Sequence, residues 1–232
     1  MNRYRARFPR KHTVLPVIHA TSLDQVMHNI ATAVVADADG VFLVNHGMTA
    51  VDLLNIHAEA KVMAPDYWIG VNCLDLQPTW VATFPSVAGM WSDNAYVDER
   101  LEKQPQAGQV LSILRRGPDG WDGIYFGGVA FKYQRQVQPH MYGEAARKAM
   151  PFVDVVTTSG AGTGTAVDVD KVIAMKKAIG EFPLAVASGI TPDNVGEYLP
   201  YVDCFLVASG ISKDFENLDL GLTRKLIQTV RG

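Results

Sequence analysis

Cysteine is nearly absent from this 232-residue chain: Cys73 and Cys204 stand far apart, each inside an apolar run. Neither has a second Cys or a His at metal-ligand spacing. That excludes a disulfide framework and a zinc ribbon, and the two thiols read as buried, free side chains of a cytoplasmic protein. No apolar run approaches the roughly 20 residues that a membrane-spanning helix needs. Charge of one sign is lacking too. Lys and Arg number 21 against 24 Asp and Glu, a formal net charge of −3, so neither a nucleic-acid surface nor an acidic tail is indicated. The one basic cluster is Arg3, Arg5, Arg7, Arg10 and Lys11. It is not followed by the apolar stretch of a signal peptide and reads as a solvated lead-in over residues 1–13, or as a local phosphate or subunit contact. Internal repeats, linkers and low-complexity segments are missing as well, leaving residues 14–232 as one domain.

What is present centres on Val155–Thr165, Val-Val-Thr-Thr-Ser-Gly-Ala-Gly-Thr-Gly-Thr. A β-branched run ends in small polar residues, three glycines alternate with Ala and Thr, and a helix-like segment follows near Asp168. Strand, glycine loop and helix are how α/β proteins present backbone N–H groups to an anion. The spacing is neither the dinucleotide fingerprint nor a Walker loop, which requires Gly-Lys-Ser/Thr. Two later stretches echo it, Leu184–Gly189 and Phe205–Gly210, each ending in Ser-Gly. Three such strand ends suggest one site built from three loops.

Eight strand candidates alternate with helices: Val14–Ala20, Val41–Asn45, Trp68–Asn72, Val87–Trp91, Gly120–Ala130, Val153–Ser159, Leu184–Ser188 and Cys204–Ala208. Several are continuous apolar runs, as parallel strands covered on both faces should be. Pro16 places itself early in the first strand or on a locally free side. Ser22 caps a helix through about Val35, and Thr49 or Asp52 opens another that Pro65 stops. Asp168–Ile179 is a strong helix. Thr191 and Pro192 read as N-cap and first residue of a further one, and Leu220–Val230 closes the chain. Count and length favour a single (β/α)8 barrel over a doubly wound sheet.

In such a barrel the residues after each strand gather at one face. They are His19; Asn45 and His46; Asn72 and Asp75; Asp93 and Asn94; Lys132; Thr158, Ser159 and the glycine loop; Ser188-Gly189; and Ser209-Gly210. An acid, a lysine and a histidine converging with backbone amides suit a polar active site. Asp93 is the candidate acid or base. Lys132 would polarise a carbonyl, and His19 would orient the substrate. Asn45, Asn72, Asp75, Asn94, Thr158 and Ser159 are candidate substrate contacts. Gly160, Gly162, Thr163, Gly164, Ser188, Gly189, Ile190, Ser209 and Gly210 are the candidate phosphate cradle, with free amides of a helix start at Ile190–Asn194. Plainer readings stand beside these: an Asx-turn at Asp93-Asn94, a turn residue at His46, a loop-satisfying Asn72, a core histidine at His19, a surface charge at Lys132. No cofactor is called for. Asn72, Asp75 and Asp93 could at most hold a magnesium ion through waters.

Five motifs together resemble the BtpA family: Pro16-Val-Ile-His19, Met90-Trp-Ser-Asp-Asn94, Gly127-Gly-Val-Ala-Phe-Lys-Tyr133, Thr158-Ser-Gly-Ala-Gly-Thr-Gly164 and Ala187-Ser-Gly-Ile-Thr-Pro-Asp-Asn194. The resemblance runs from about Val14 to the C-terminus and is best in the second half. It implies a (β/α)8 barrel of the ribulose-phosphate-binding group with a phosphate site, and it supplies no reaction. The family is named for a protein implicated in photosystem I biogenesis and also holds SgcQ-like proteins of sugar-metabolism clusters. The chain departs from the family pattern in two places. His19 runs straight into Ala-Thr-Ser, and the second strand ends Val-Asn-His-Gly where relatives tend to carry Glu-Asn.

The expectation is an enzyme acting on a small phosphorylated metabolite, a sugar phosphate or nucleotide-like ester, by isomerase- or lyase-type proton transfer. Two alternatives stay open. One is a glycosidic or ester hydrolase using Asp75 and Asp93 as paired carboxylates. The other is a non-catalytic ligand-binding or assembly factor, in which Asp93 and Lys132 would point away from the mouth. A homo-oligomer is possible, with Trp80, Phe84 and Trp91 as candidate interface residues.

Overall fold

The computed structural model describes residues 2–84, 86–117 and 120–232, and Met1 of the lead-in lies outside them. Eight parallel strands close into a barrel in sequence order: β1 Thr13–His19, β2 Val41–Val44, β3 Ile69–Asn72, β4 Gly89–Ser92, β5 Ile124–Gly128, β6 Val155–Ser159, β7 Leu184–Ala187 and β8 Cys204–Val207. Helix α1, Arg3–Arg7, precedes β1. Helices α2 Leu23–Val35, α3 Ala50–Met63, α4 Pro78–Val81, α5 Pro105–Leu114, α6 Tyr142–Ala149 and α7 Val169–Ile179 follow β1 to β6 in turn, and α8 Leu220–Arg231 follows β8. The expected (β/α)8 barrel is what the chain forms.

Parallel strands buried on both faces explain the unbroken apolar runs. In β1, Leu15 and Val17 point into the barrel, while Val14 and Ile18 pack under the helices. The interior is filled by aromatic rings meeting edge to face: Phe42 lies 5.1 Å from both Trp68 and Phe126 and 5.9 Å from Trp91. The barrel is therefore a packed core below its mouth. Pro16 pairs with Val207 of β8, and the β1–β2 pairing begins only at Val17. The missing N–H of Pro16 thus falls where the ladder to β2 has not started. Ser22 and Thr49 cap α2 and α3 by accepting from the N–H groups of Gln25 and Asp52.

The lead-in is solvated only in part: Arg3, Arg7, Arg10 and Lys11 are exposed, but two rings are not. Tyr4 and Phe8 are buried and plug the lower end of the barrel. The Tyr4 hydroxyl donates to the Asp203 carbonyl at 2.8 Å and lies 2.8 Å from Thr13 Oγ1. Three carboxylates ring that end, and each serves twice. Asp39, Asp154 and Asp203 accept the N–H groups of Val14, Tyr125 and Leu184 at 2.8–2.9 Å. They also pair with Arg10, Arg115 and Arg5. The basic cluster thus answers carboxylates at the barrel floor. A second correction concerns Thr191-Pro192. No α-helix opens there, and β7 is followed by a turn and a single 3-10 turn, Val195–Glu197. Within it, Asn194 Oδ1 takes the Thr191 N–H at 2.8 Å and Thr191 Oγ1 takes those of Asp193 and Asn194 at 3.3 Å. The turn satisfies the N–H groups of Thr191, Asp193 and Asn194, so of the amides expected over Ile190–Asn194 these three are spent within the loop.

Candidate active site

The C-terminal strand ends surround a cavity of about 170 Å³. His19, Asn72, Asp93, Lys132, Thr163, Ser188, Gly189, Ile190, Ser209 and Gly210 line it. Asp93 and Lys132, which the enzyme reading expects to share one pocket, both line it.

Asp93 follows β4, and its carboxylate accepts from the Asn72 amide at 3.1 Å. Its main-chain carbonyl is held by the Gln134 side chain. Burial pushes its pKa above the usual carboxylate value, against the opposing pull of the Asn72 hydrogen bond, Lys132 and His46. Lys132 sits in the loop after β5, a loop bent by left-handed backbone at Ala130 and Tyr133, with φ of 47° and 61°. Its N–H is fixed by Ser159 Oγ at 2.8 Å, and its ammonium donates to Ser188 Oγ at 3.2 Å and Thr163 Oγ1 at 3.4 Å. His19 stacks between His46 and Phe215, at ring-centroid distances of 4.7 and 4.0 Å. Burial, with His46 and Lys132 adding repulsion, pulls its pKa down to about 4. It is therefore a neutral imidazole at neutral pH, able to donate one hydrogen bond and accept another. Two buried polar atoms of cavity-lining residues, His19 Nδ1 and Trp91 Nε1, have no partner among the described residues.

The glycines serve differently from expectation. Ser188 and Gly189 take consecutive left-handed conformations, φ 81° and 66°. A Cβ on Gly189 would stand 2.1 Å from the Ala166 nitrogen, and one on Gly210 1.9 Å from the Ile190 carbonyl oxygen. These residues are glycine so that three loops can nest: β8's on β7's, and β7's on β6's. Gly160 is used the same way, against the Thr165 carbonyl, and it lines a neighbouring cavity instead of the mouth. Gly162 and Gly164 are also absent from the mouth lining; of the glycine loop only Thr163 reaches it. From the ends of β7 and β8 the lining takes Ser188, Gly189, Ile190, Ser209 and Gly210, and Ser209–Ile211 forms a 3-10 turn.

Several expected substrate contacts are spent on the loops themselves. Asn45 donates to Asp75 and to the Met48 carbonyl and accepts the Leu74 N–H, while Asp75 also takes the Ala50 N–H. Neither lines the mouth, so the pairing of Asp75 with Asp93 across it, and a magnesium site shared with Asn72, lose their geometry. Among the described residues no group of three or more His, Cys, Asp or Glu could hold a metal ion. Asn94 accepts the Tyr96 N–H at 2.7 Å in an Asx-turn. Thr158 is buried and donates to the Ala130 carbonyl, and Ser159 positions Lys132 from beneath. Trp91, Tyr133 and Phe215 escaped the site reading, and His46 was placed at this face without a role. His46 and Trp91 line the cavity, Tyr133 overhangs it, and Phe215 covers His19 from the loop after β8. Trp91, a candidate interface residue, is an interior side chain, 7% exposed. The signal for His46 was its place directly after a strand. Phe215 had none, because its part depends on how the last loop folds back.

Residues 135–231 match the BtpA family. That stretch carries the glycine loop and both Ser-Gly strand ends. The first three of the motifs that resemble BtpA lie before it. A protein of Thermococcus kodakarensis, itself uncharacterized, is 41% identical over 83 residues, which cover 34% of this chain and 31% of that protein. The match thus spans about a third of the curated relative's length. Among solved structures, the (S)-3-O-geranylgeranylglyceryl phosphate synthase of Thermoplasma acidophilum, in complex with its substrate sn-glycerol-1-phosphate, superposes with a TM-score of 0.69 at 12% identity. It covers 98% of this chain and 96% of its own. The phosphoribosylanthranilate isomerase of Thermotoga maritima does so with a TM-score of 0.64 at 15% identity, over 95% and 99%. At these identities the likeness is one of fold. No helix among the described residues is long and apolar enough to cross a membrane.

Proposed function

We propose that the chain is an enzyme that moves a proton next to a carbonyl in a small phosphorylated metabolite, as an isomerase or lyase does. The observation that carries this reading is one cavity lined by Asp93 and Lys132, from the ends of the neighbouring strands β4 and β5, and by the Ser-Gly ends of β7 and β8. In a (β/α)8 barrel, the loops after strands seven and eight and a short helix start form a common phosphate site. Here Gly189, Ile190, Ser209 and Gly210 fill that place, with Ser188 and the Lys132 ammonium beside them. The solved barrels of similar fold, a synthase complexed with a glycerol phosphate and a phosphoribosylanthranilate isomerase, agree with the reading.

In the proposed reaction the Asp93 carboxylate takes the proton from the carbon beside the carbonyl. The electron pair moves to the carbonyl oxygen, where the Lys132 ammonium stabilises the enolate by a charge-assisted hydrogen bond. The proton of the adjacent hydroxyl passes to that oxygen, and protonated Asp93 returns its proton to the former carbonyl carbon, so that hydroxyl and carbonyl exchange places. A base with a raised pKa suits this work better than an ordinary carboxylate. His19 and Trp91 offer their unpartnered polar atoms to the substrate's hydroxyl groups. The hydrolase alternative finds no second carboxylate in the cavity lining.

The test is turnover of a panel of phosphorylated aldoses, ketoses and hydroxy acids by the protein and by Asp93→Asn. The expected result is a loss of about 10²–10⁴ in kcat with affinity for the phosphorylated compound retained. Unchanged turnover of every accepted substrate would remove Asp93 as the base.

A further inference from the structure

A second cavity, of about 390 Å³, opens beside the mouth, between the loop after β5 and the loop after β6. The two cavities share Lys132 and Tyr133. The partition between them is thin: the Tyr133 hydroxyl accepts the Thr163 N–H at 3.3 Å and lies 3.2 Å from Thr163 Oγ1. Tyr133 is itself 78% exposed, so this partition is a side chain resting on a loop tip.

The wall of the second cavity holds a cation that the proposed reaction does not use. Lys171, from the first turn of α7, is only 8% exposed, and its ammonium donates to the main-chain carbonyls of Ala130 and Ser159. Tyr142 presents its ring 5.2 Å away. Carbonyls and a ring face accept hydrogen bonds and partial charge, but they do not neutralise an ammonium, and a buried charge without a counter-ion is costly. Burial lowers the Lys171 pKa to about 8, against the opposing pull of the Asp168 carboxylate. The one carboxylate in the wall, Asp168, is exposed at its rim; it favours the Lys171 ammonium by its charge but forms no ion pair with it among the described residues. Asp168 accepts the Asp170 N–H as the cap of α7, and Arg135 is bound to Glu99. Lys171 and Lys132 are the cations left facing the space, with the main chain of Gly160 and Ala161 beside them.

We infer that the second cavity is an anion subsite. A substrate held by its phosphate at Ser209–Gly210 extends past Lys132 and seats a second anionic group, a phosphate or a carboxylate, against Lys171. This rests on the phosphate reading of the mouth and narrows its substrate class to doubly anionic metabolites.

The experiment is calorimetric binding to the full chain. Its probes are 1,n-alkanediol bisphosphates of three to six carbons, alkyl monophosphates of the same lengths, and inorganic phosphate. Phosphorylated carboxylic acids of matching length tell a carboxylate subsite from a phosphate one. At least one doubly anionic probe should bind ten-fold or more tightly than its monophosphate. Lys171→Met should abolish that advantage and leave monophosphate binding in place. Because Lys171 ties two strand ends, Ala161→Asp serves as a second variant; it sets a negative charge in the wall without cutting the tie, and it too should abolish the advantage. Equal binding of singly and doubly anionic probes at every length, or an advantage that survives Ala161→Asp, overturns the subsite. Failure of inorganic phosphate and monophosphates alike is a separate result: it removes the phosphate anchor at the mouth, and the subsite with it.

Discussion

Asn72 and His57 show how one side chain sets the behaviour of a neighbourhood. The Asn72 amide donates to the Asp93 carboxylate and so favours its charged form, opposing the burial that disfavours it. Removing the donor with Asn72→Leu leaves burial unopposed on that side, so the Asp93 pKa rises further. If Asp93 is the base, the acid limb of kcat/KM moves to higher pH in this variant, and a pH–rate profile measures it. An unmoved limb would detach Asp93 from the rate. His57 on α3 is fully buried, with one ring nitrogen 3.2 Å from the Ile69 carbonyl oxygen. Burial pulls its pKa down to about 4 from 6.5. Between those values the unfolded chain binds a proton that the folded one refuses, so stability is complete above pH 6.5 and is lost as pH falls through 4. The loss is on the order of 3 kcal/mol. His19 adds a similar dependence from the mouth. His57→Gln should flatten the slope of melting temperature against pH across this window without flattening it below.

At the level of elements, the legible part of the chain was periodicity and capping. Ser22, Thr49, Asp168 and Asp219 each cap the helix they precede, because a short polar side chain just before an apolar period states a helix start locally. Thr191-Pro192 carried the same signal and made only a turn. Asn194 competes for the Thr191 N–H, and the segment closes into its 3-10 turn without room for further α-turns. The three loops after β6, β7 and β8 are the other lesson. Their glycines read as phosphate ligands, and Gly189 and Gly210 also let the loops nest on one another, because a Cβ at either would meet the neighbouring backbone. Gly189→Ala tests this. A side chain there is strained by the positive φ and collides with the backbone at Ala166, so the variant should lose stability and, by splaying the β6 and β7 loops, at least ten-fold in phosphate affinity by calorimetry. Retained affinity and stability would show that the loops are not held by this contact.

Across the whole molecule the two ends of the barrel are built for different work. Paired carboxylates and arginines, with Tyr4 and Phe8 beneath the aromatic core, close the lower end. The cavity lined by Asp93 and Lys132 belongs to the upper. Tyr4→Ala removes a fully buried ring that bonds Thr13 and Asp203 and should cost about 3–5 kcal/mol of stability, measured by urea denaturation. At temperatures where the variant stays folded, phosphate binding at the mouth should be unchanged. A variant that folds well but binds phosphate poorly would mean that the two ends are coupled. By itself the sequence determined the alternation of strands and helices, their number, and hence which residues stand at one face, since a parallel strand buried on both sides writes its apolar run directly into the chain. Only the tertiary structure decided which of those residues share a cavity. Asn45 and Asp75 turn to each other, Gly160 serves a neighbouring space, His46 and Trp91 line the mouth, and Phe215 packs on His19. Side-chain direction at a strand end is set by what the adjacent loops pack against, and those contacts join residues that lie far apart in the chain.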